Sequence, residues 1–247
     1  MSGYASRLGG FMFMAPRDIG LFLRSARTDA SLEVLRTELG NAGAFDEVYR
    51  GGDPWASADP RYRYQRRKYD AIASLIPRRH FASALDLGCG SGLLTGRIAP
   101  YADSVLGMDI SAEAVAQARQ AHESCPKVRF AQGDIGNLPA FLDGAFDLLV
   151  IADSLYYLPP PLDEAALATI AARLARLLQP GGVCVLANHF FSGLDPASRL
   201  SRRIHRAFSA SPAFRVKSEH RRPFYLVSVL AKQKWKKEGQ GSAPGPR

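Results

Sequence analysis

The eight residues LDLGCGSG, Leu85 to Gly92, join an apolar run to three glycines in five positions. The run begins at Phe81, and an apolar run that ends in glycines is typical of a buried strand followed by a tight turn. Glycines in such a turn let the backbone approach a ligand closely. The next residues, GLLTGRIAPYA, are helix-like, so this part of the chain predicts a strand, a turn against a ligand and a helix in succession.

The same alternation continues toward the C-terminus. Further runs that predict strands are SVLGMDI, KVRFAQGDI, FDLLVIADSL and VCVLANHF. Between them, SAEAVAQARQAH has Ser111 as a good helix N-cap, and LDEAALATIAARLARLLQPGG is an amphipathic helix closed by Pro-Gly-Gly. This alternation predicts an α/β fold with a doubly wound, mostly parallel sheet. The runs FRVKSE and FYLVSVLA are spaced like an antiparallel hairpin at one sheet edge, which brings the sheet to seven strands.

Three regions are expected along the 247 residues. Residues 1–76 contain helical segments such as DIGLFLRSA and SLEVLRTELG, followed by aromatic and basic residues, and we interpret them as an N-terminal helical extension or lid. Residues 77–231 contain the alternating strands and helices and form the main domain. Residues 232–247 are rich in Gly, Pro, Ser and Lys without apolar periodicity, so they are expected to form a disordered basic tail.

The net charge of +9 is concentrated in a few segments. The tail after Ala231 carries five cations and one acid, and two basic clusters lie in Arg61–Lys68 and Arg199–Arg222. Solvated helix faces are the first interpretation of these clusters. An electropositive rim around a site for an anionic substrate or a nucleic acid is the second.

The sequence favours neither a targeting segment nor a metal site. No apolar run approaches the ~18 residues of a membrane span, and the N-terminal LGGFMFMA is short and lacks a small-residue cleavage site. The three cysteines, Cys89, Cys125 and Cys184, form no C-x-x-C pair, which disfavours a disulfide framework or a zinc site. We therefore expect a cytoplasmic protein without a membrane span or a metal site.

Nucleoside triphosphates, dinucleotides and S-adenosylmethionine are all bound at glycine-rich turns after a strand. A P-loop requires a Lys after its glycines, and none follows here. The dinucleotide pattern G-x-G-x-x-G is incomplete, because Gly88 and Gly90 fit but Leu93 occupies the third position. Asp86 places a carboxylate two residues before the first glycine, where it would face a pyrophosphate poorly but suits an ammonium group. S-adenosylmethionine carries such a group and no phosphate.

Two more acids stand where the next strands are predicted to end. Asp109, in GMDIS, ends the second strand, where a carboxylate can accept hydrogen bonds from both ribose hydroxyls. Asp134, in QGDI, ends the third, where it can accept a hydrogen bond from the adenine amino group while Ile135 packs on the ring. Ligands of open α/β sheets bind at the carboxyl ends of the strands, so three acids there favour an adenosyl ligand over a capping role alone.

These motifs together resemble a known family. LDLGCGSG, GMDIS, QGDI, FDLLVIADSLYYL and LQPGGVCVL are similar, in order and spacing, to the motifs of class I S-adenosylmethionine-dependent methyltransferases, and the resemblance spans Phe81 to Asn188. FDEVYRGGDPW and RYRYQRRKYDAIASLIP, with DSLYYL after the fourth strand, are similar to the nodulation methyltransferase family, which N-methylates amino sugars of chitooligosaccharides. Relatives usually have Glu where this chain has Asp153. Residues 1–44 carry no part of this likeness.

The resemblance implies a Rossmann-like methyltransferase fold with S-adenosylmethionine as the cofactor. It places the methionine end at Asp86, Gly88 and Gly90, the ribose at Asp109, and the adenine at Asp134 and Ile135, with Cys89 and Ile110 completing the cofactor-binding set.

On the acceptor side, class I enzymes place the substrate over the ends of the fourth and fifth strands, here ADSLYY and NHFF. Asp153 and His189 are the titratable candidates there, and either could take a proton from the acceptor. A structural hydrogen-bonding role is an equal alternative for His189. Tyr156 and Tyr157 are interpreted as core or pocket wall, without a catalytic role. Two other histidines, His205 and His220, fall in basic stretches that are expected to be exposed, and they receive no role.

The expected acceptor is a small polar molecule, a sugar or amino sugar of a glycoconjugate or natural product, methylated on N or O. An RNA methyltransferase that uses the basic clusters is one alternative. It is disfavoured because the chain has no appended RNA-binding module and no Asn-Pro-Pro-Tyr motif after the fourth strand. A non-catalytic protein that binds an adenosyl ligand is the other alternative, and the intact glycine turn disfavours it.

Overall fold

Helices and strands alternate along the part of the chain that the computed structural model describes, residues 18–56 and 59–233. The helices are α1 (Asp18–Arg50), α2 (Tyr64–Ser74), α3 (Leu93–Ile98), α4 (Ala112–Ala121), α5 (Glu164–Leu177) and α6 (Pro196–Ala210). The strands are β1 (Phe81–Leu87), β2 (Ala102–Asp109), β3 (Val128–Gln132), β4 (Phe146–Ala152), β5 (Leu178–His189), β6 (Phe214–Arg222) and β7 (Tyr225–Lys232). Short 3₁₀ turns include Ile135–Asn137 and Leu155–Tyr157.

The seven strands of these residues form one sheet in the order β3-β2-β1-β4-β5-β7-β6. Neighbouring strands among β1–β5 pair in parallel, whereas β7 runs antiparallel to both β5 and β6. The strand order reverses between β1 and β4, so the carboxyl ends of these two strands open a crevice. The predicted doubly wound α/β fold, with a seven-stranded, mostly parallel sheet and an added antiparallel hairpin, is confirmed.

Both faces of the sheet are covered, which explains why the central strands are apolar at nearly every position. On one face, Ala84 and Val150 belong to a buried cluster that includes residues of α2, α3 and α4. On the other face, Leu85 and Leu149 belong to a second cluster with residues of α5 and α6. Neighbouring residues of one strand therefore lie in opposite layers, as the pleat of a strand requires.

The N-terminal helical extension is present and covers the crevice. Its helix α1 is bent at Gly40, which has a φ of 69° and a ψ of 178°. The start of α1 is fixed by Asp18, whose Oδ1 accepts hydrogen bonds from the backbone N–H groups of Arg63 and Tyr64 at the beginning of α2. The boundary between the extension and the main domain after residue 76 stays a prediction. Residues 1–17 lie outside the described residues.

The Pro-Gly-Gly sequence does not close helix α5, contrary to expectation. The helix ends at Leu177, and the next residue already pairs with Phe146 as the start of β5. The register then shifts before Val183 pairs with Leu148, so Gln179 to Gly182 form an irregular part of the strand. A strand pairing at Leu178 has therefore ended the helix earlier than the local sequence predicts.

The expectation that His205 is exposed is wrong. This residue is 4% exposed and lies on the inner face of α6 with Ile204 and Phe208. Strand β7 extends to Lys232, one residue into the predicted tail, and the tail from residue 234 onward lies outside the described residues.

Within the described ranges, no helix is long and apolar enough to cross a membrane, and no group of three or more His, Cys, Asp or Glu is placed to hold a metal ion. The cytoplasmic location stays a prediction.

Candidate active site

A cavity of about 560 Å³ opens at the carboxyl ends of the central strands, and α1 and α2 contribute to its walls. This volume lies in the range of small-molecule sites. The strand ends contribute the Gly88–Ser91 turn after β1, Asp109 at the end of β2, Asp153 after β4 and His189 at the end of β5. The fold therefore brings most of the expected cofactor residues and both acceptor-side candidates into one space.

The turn after β1 is packed closely against its neighbours. Gly88 has a φ of 78°, and a Cβ at this position would lie 2.3 Å from the Cβ of Ser154, which follows β4. The N–H of Gly88 donates to the carbonyl of Met108 at 2.8 Å, and the N–H of Gly90 donates to Oδ2 of Asp109 at 2.8 Å. Glycine is required at position 88 because a side chain would meet the end of the fourth strand.

Asp109 is the last residue of β2 and is 8% exposed. Besides the bond from Gly90, its Oδ1 accepts a hydrogen bond from the N–H of Ser111 at 3.0 Å. Burial raises the pKa of Asp109, while the backbone hydrogen bonds from Ser111 and Gly90 act in the opposite direction. A fixed carboxylate at the cavity wall can accept hydrogen bonds from the hydroxyl groups of a ligand.

The other residues expected near the ribose and adenine also line the cavity, namely Cys89, Ile110, Asp134 and Ile135. Asp134 caps a 3₁₀ turn, and its Oδ1 accepts a hydrogen bond from the N–H of Gly136 at 2.7 Å. Burial raises the pKa of the Cys89 thiol well above its usual range. The thiol is therefore protonated and serves as an apolar part of the wall.

Asp86 is placed differently from the rest of the expected cofactor set. It is buried behind the turn, where its Oδ2 accepts a hydrogen bond from Oγ1 of Thr95 in α3 at 2.6 Å, and it does not line the cavity. Burial raises the pKa of Asp86 to about 7, against the effect of the Thr95 hydrogen bond. In this structure Asp86 connects β1 to α3, and its contact with an ammonium group stays a prediction.

Asp153 is held from two sides at the cavity wall. Its φ is 54°, in the left-handed region, where Asp is tolerated better than most residues. Its Oδ1 accepts a hydrogen bond from the backbone N–H of His189 at 2.8 Å, and its Oδ2 forms an ion pair with Nζ of Lys68. The side chains of Lys68 and Asp153 are 5% and 17% exposed, so the pair is largely removed from water.

His189 lies next to this ion pair and is half-buried. Burial lowers the pKa of His189, and the charge of Lys68 acts in the same direction, whereas the charge of Asp153 acts in the opposite direction. The imidazole is therefore neutral over a wider pH range than that of an exposed histidine, and a neutral imidazole can accept a proton.

Lys68 is the main site residue that the sequence interpretation did not identify. It lies in the basic cluster Arg61–Lys68, which was expected to be a solvated face or a rim. Within this helix, however, Tyr64, Lys68 and Ile72 recur every four residues, and all three are buried. A helical period of 3.6 places such residues on one face, and this is the signal that separates Lys68 from the neighbouring arginines.

An aromatic wall completes the cavity. The ring of Trp55 contacts those of Phe45, Tyr49 and Tyr157, and Phe45 also contacts Tyr157, with centroid distances between 5.6 and 6.3 Å. The hydroxyl of Tyr157 donates a hydrogen bond to Oδ1 of Asp29 at 2.7 Å. Aromatic faces beside a carboxylate offer both apolar surface and a hydrogen-bond acceptor to a bound molecule.

Residues 84–182 match the sequence model of a family described as a methyltransferase domain. The match begins within β1 and ends within β5, so it contains the glycine turn, Asp109, Asp134 and Asp153. Helices α1 and α2, with Lys68, lie outside it.

Curated relatives match a larger part of the chain. Trans-aconitate 2-methyltransferase of Deinococcus radiodurans is 42% identical over 124 residues, which are 48% of this chain and 43% of that protein. Nodulation protein S of Sinorhizobium fredii is 28% identical over 163 residues, which are 66% of this chain and 71% of that protein. The chain thus spans less than half the length of the first relative and more than two thirds of the second.

The fold is shared with the N-methyltransferase NodS from Bradyrhizobium japonicum WM9, solved in complex with S-adenosyl-L-homocysteine. The TM-score is 0.62 at 21% identity, over 73% of this chain and 92% of that one. This likeness confirms the Rossmann-like methyltransferase fold. Together with the family match over residues 84–182 and the order of the motifs around the cavity, it supports a class I S-adenosylmethionine-dependent methyltransferase domain that resembles NodS.

Proposed function

We propose that this protein transfers a methyl group to a nitrogen or oxygen atom of a small polar acceptor, a sugar or an amino sugar of a glycoconjugate or natural product. The observation that carries the proposal is that one cavity contains Asp109 and also the pair Asp153 and His189. Methyl transfer requires the donor and the acceptor to be held in line about 3 Å apart, so both must share one enclosed space.

The residues that line the cavity suit S-adenosylmethionine in their chemistry. The glycine turn at Gly88 presents backbone without a side chain, and Asp109 offers a buried carboxylate for the ribose hydroxyls. Ile110 and Ile135 offer apolar surface, and Asp134 can accept a hydrogen bond from an amino group. When bound, S-adenosylmethionine supplies an electrophilic methyl group whose bond to sulfur breaks with both electrons staying on sulfur.

The remaining part of the cavity suits a polar acceptor with apolar faces. Trp55 and Tyr157 provide flat aromatic surface, and Asp29 provides a carboxylate that already accepts one hydrogen bond from Tyr157. Asp153 and His189 are the titratable groups at the strand ends. The description of NodS as an N-methyltransferase supports nitrogen as one possible target atom.

Incubation with methyl-labelled S-adenosylmethionine and three acceptor pools tests the proposal. The pools are partially deacetylated chitooligosaccharides, small carboxylic acids including trans-aconitate, and transfer RNA. We expect label in the oligosaccharides, and mass spectrometry of the product then distinguishes N- from O-methylation. The variant Asp109→Ala, which lacks the carboxylate expected to hold the ribose, is the control for activity that does not depend on the cavity.

The other outcomes each contradict a stated part of the proposal. Label confined to a carboxylic acid would contradict a sugar acceptor. Label confined to RNA would favour the alternative that uses the exposed arginines of α6 and β6, such as Arg206 and Arg215. Binding of S-adenosyl-L-homocysteine without label in any pool would favour a non-catalytic binding protein.

A further inference from the structure

Both carboxylate oxygens of Asp153 are already engaged by the protein. Oδ1 accepts the N–H of His189 at 2.8 Å, and Oδ2 is paired with Lys68. The backbone N–H of Asp153 in turn donates to the carbonyl of Ala187 at 2.9 Å, which connects the residue to β5 a second time. Asp153 is therefore a fixed group, and each of its carboxylate oxygens holds either the strand end or the lysine.

Lys68 makes this arrangement sensitive to the charge of Asp153. Its side chain is 5% exposed, and its Nζ lies 5.7 Å and 5.4 Å from the ring centroids of Tyr64 and Tyr69. A buried ammonium group is strongly destabilising when its partner is neutral. Protonation of Asp153 would leave Lys68 in that condition, so a reaction step that gives Asp153 a proton is unfavourable.

His189 is free of this restriction. Its backbone, not its ring, is bound to Asp153, and the residue lines the cavity. The charged groups that act on it come from four elements: Asp153 after β4, Lys68 on α2, Asp195 at the start of α6 and Asp29 on α1. Burial and Lys68 favour the neutral ring, which is the form that can take up a proton.

We propose that His189 is the group that accepts the proton of the acceptor, and that Lys68 and Asp153 are positioning residues that fix its place and stay charged throughout. The proposal rests on the proposed function. The proton of the acceptor, on a hydroxyl or on a protonated amine, moves to an imidazole nitrogen. The electron pair left on oxygen or nitrogen forms the new bond to the methyl carbon, while the methyl–sulfur bond breaks and its electron pair stays on sulfur. The two charges of the ion pair act on the ring's proton affinity in opposite directions, with Asp153 raising it and Lys68 lowering it, and neither residue exchanges a proton itself.

A titration of the His189 ring tests the two positioning residues without any acceptor. The ring signals of histidine-labelled protein are followed by NMR, and the signal missing in His189→Gln identifies residue 189. We expect the His189 pKa to rise in Lys68→Met and to fall in Asp153→Asn. Opposite shifts are a result that a purely structural role would not produce.

Matched variants keep this test interpretable. Lys68→Arg retains the positive charge and should leave the titration near that of the wild type, even if Lys68→Met folds poorly. Arg66 is a cation on the same helix, and its side chain donates a hydrogen bond to the carbonyl of Pro60. Arg66→Met should therefore leave the pKa of His189 unchanged. An unchanged His189 titration in both Lys68→Met and Asp153→Asn would overturn the assignment of the pair.

Turnover of the acceptor found in the labelling assay tests the proton acceptor itself. His189→Gln should lose about 10²–10⁴-fold in kcat and the acidic limb of the pH–rate profile, with cofactor affinity unchanged. Asp153→Asn should retain the acidic limb, and the limb should move to lower pH together with the His189 pKa measured by NMR. Loss of the limb in Asp153→Asn but not in His189→Gln would overturn the proposal. Failure to methylate any acceptor, with the NMR shifts intact, would count against the proposed function alone.

Discussion

Ser111 donates a hydrogen bond from its Oγ to Oδ1 of Asp46 at 2.7 Å, and so connects α1 to the N-terminus of α4. The same carboxylate oxygen accepts the backbone N–H of Glu113 at 3.2 Å, while Ser111 Oγ also caps the helix at Ala114. A carboxylate at a helix N-terminus is favourable because the free N–H groups carry partial positive charge. Tyr49, one turn after Asp46, lines the cavity, so this contact fixes α1 beside the cofactor residues.

Asp46→Ala is therefore expected to lower the free energy of unfolding by about 1–2 kcal/mol, through loss of the two hydrogen bonds. It should also weaken binding of S-adenosyl-L-homocysteine, since Tyr49 is displaced. The matched control is Glu47→Ala, whose ion pair with Arg50 is exposed and contributes little. Urea denaturation and calorimetry measure the two effects, and equal results for both variants would contradict the role given to Asp46.

Gly88→Ala tests the close packing of the turn. An alanine there combines a φ of 78° with a Cβ 2.3 Å from that of Ser154. We expect a loss of stability of about 2–5 kcal/mol, the sum of backbone strain and overpacking. Gly144→Ala has a similar φ of 70° with nothing within 4 Å, so it should lose only the strain component of about 1–2 kcal/mol.

The double variant Gly88→Ala/Ser154→Gly identifies the cause of that loss. It removes the atom that the new methyl group meets, so it should recover part of the stability lost in Gly88→Ala. Chemical denaturation gives the comparison. No recovery, or equal losses in Gly88→Ala and Gly144→Ala, would show that the contact with Ser154 is unimportant.

His205 should make stability depend on pH. Its Nδ1 lies 2.7 Å from Oγ of Ser228, and burial lowers its pKa to about 4, below the ordinary value of 6.5. The unfolded chain then binds the proton more tightly, so stability is fully present above pH 6.5 and is lost as pH falls toward 4. The difference between a pKa of 6.5 in the unfolded chain and about 4 in the folded protein corresponds to about 3 kcal/mol of unfolding free energy. The difference in unfolding free energy between wild type and His205→Gln, measured from pH 7.5 to 4, should show this slope, and a constant difference would contradict it.

The alternation of strands and helices was predictable because its signals are local. Apolar runs that end in glycine or acid predict four of the five parallel strands, the run VCVLANHF predicts the fifth, and Ser111 caps α4 as its sequence position predicts. The arginines around His205 predict a solvated stretch, which is why the expectation of an exposed histidine is wrong. The helical spacing of Ser201, Ile204, His205 and Phe208 places them all on the buried face of α6.

The pair of Lys68 and Asp153 could not be predicted in the same way. The two residues are 85 positions apart, and their contact depends on how α2 lies over the end of β4. For Asp86, the local motif predicts a cofactor residue at the end of β1. Its burial behind the turn, however, follows from the packing of α3 against β1 and is not visible in the motif. Local patterns thus predict the helices, the strands and most of the cavity residues. The partners of Asp153 and Asp86 can be identified only once the helices are packed on the sheet.

Asp109 provides the most direct test of the cofactor site. Its carboxylate is expected to accept both ribose hydroxyls, and loss of charge-assisted hydrogen bonds in Asp109→Ala should weaken binding of S-adenosyl-L-homocysteine by about 2–3 kcal/mol, or roughly 30- to 150-fold. The residue also accepts the N–H groups of Gly90 and Ser111, so thermal unfolding must be measured alongside calorimetry. Asp103→Ala, at the exposed opposite end of the same strand, should leave affinity unchanged. Equal affinities in the two variants would place the ribose elsewhere in the cavity, because no ligand bound through Asp109 could tolerate its removal.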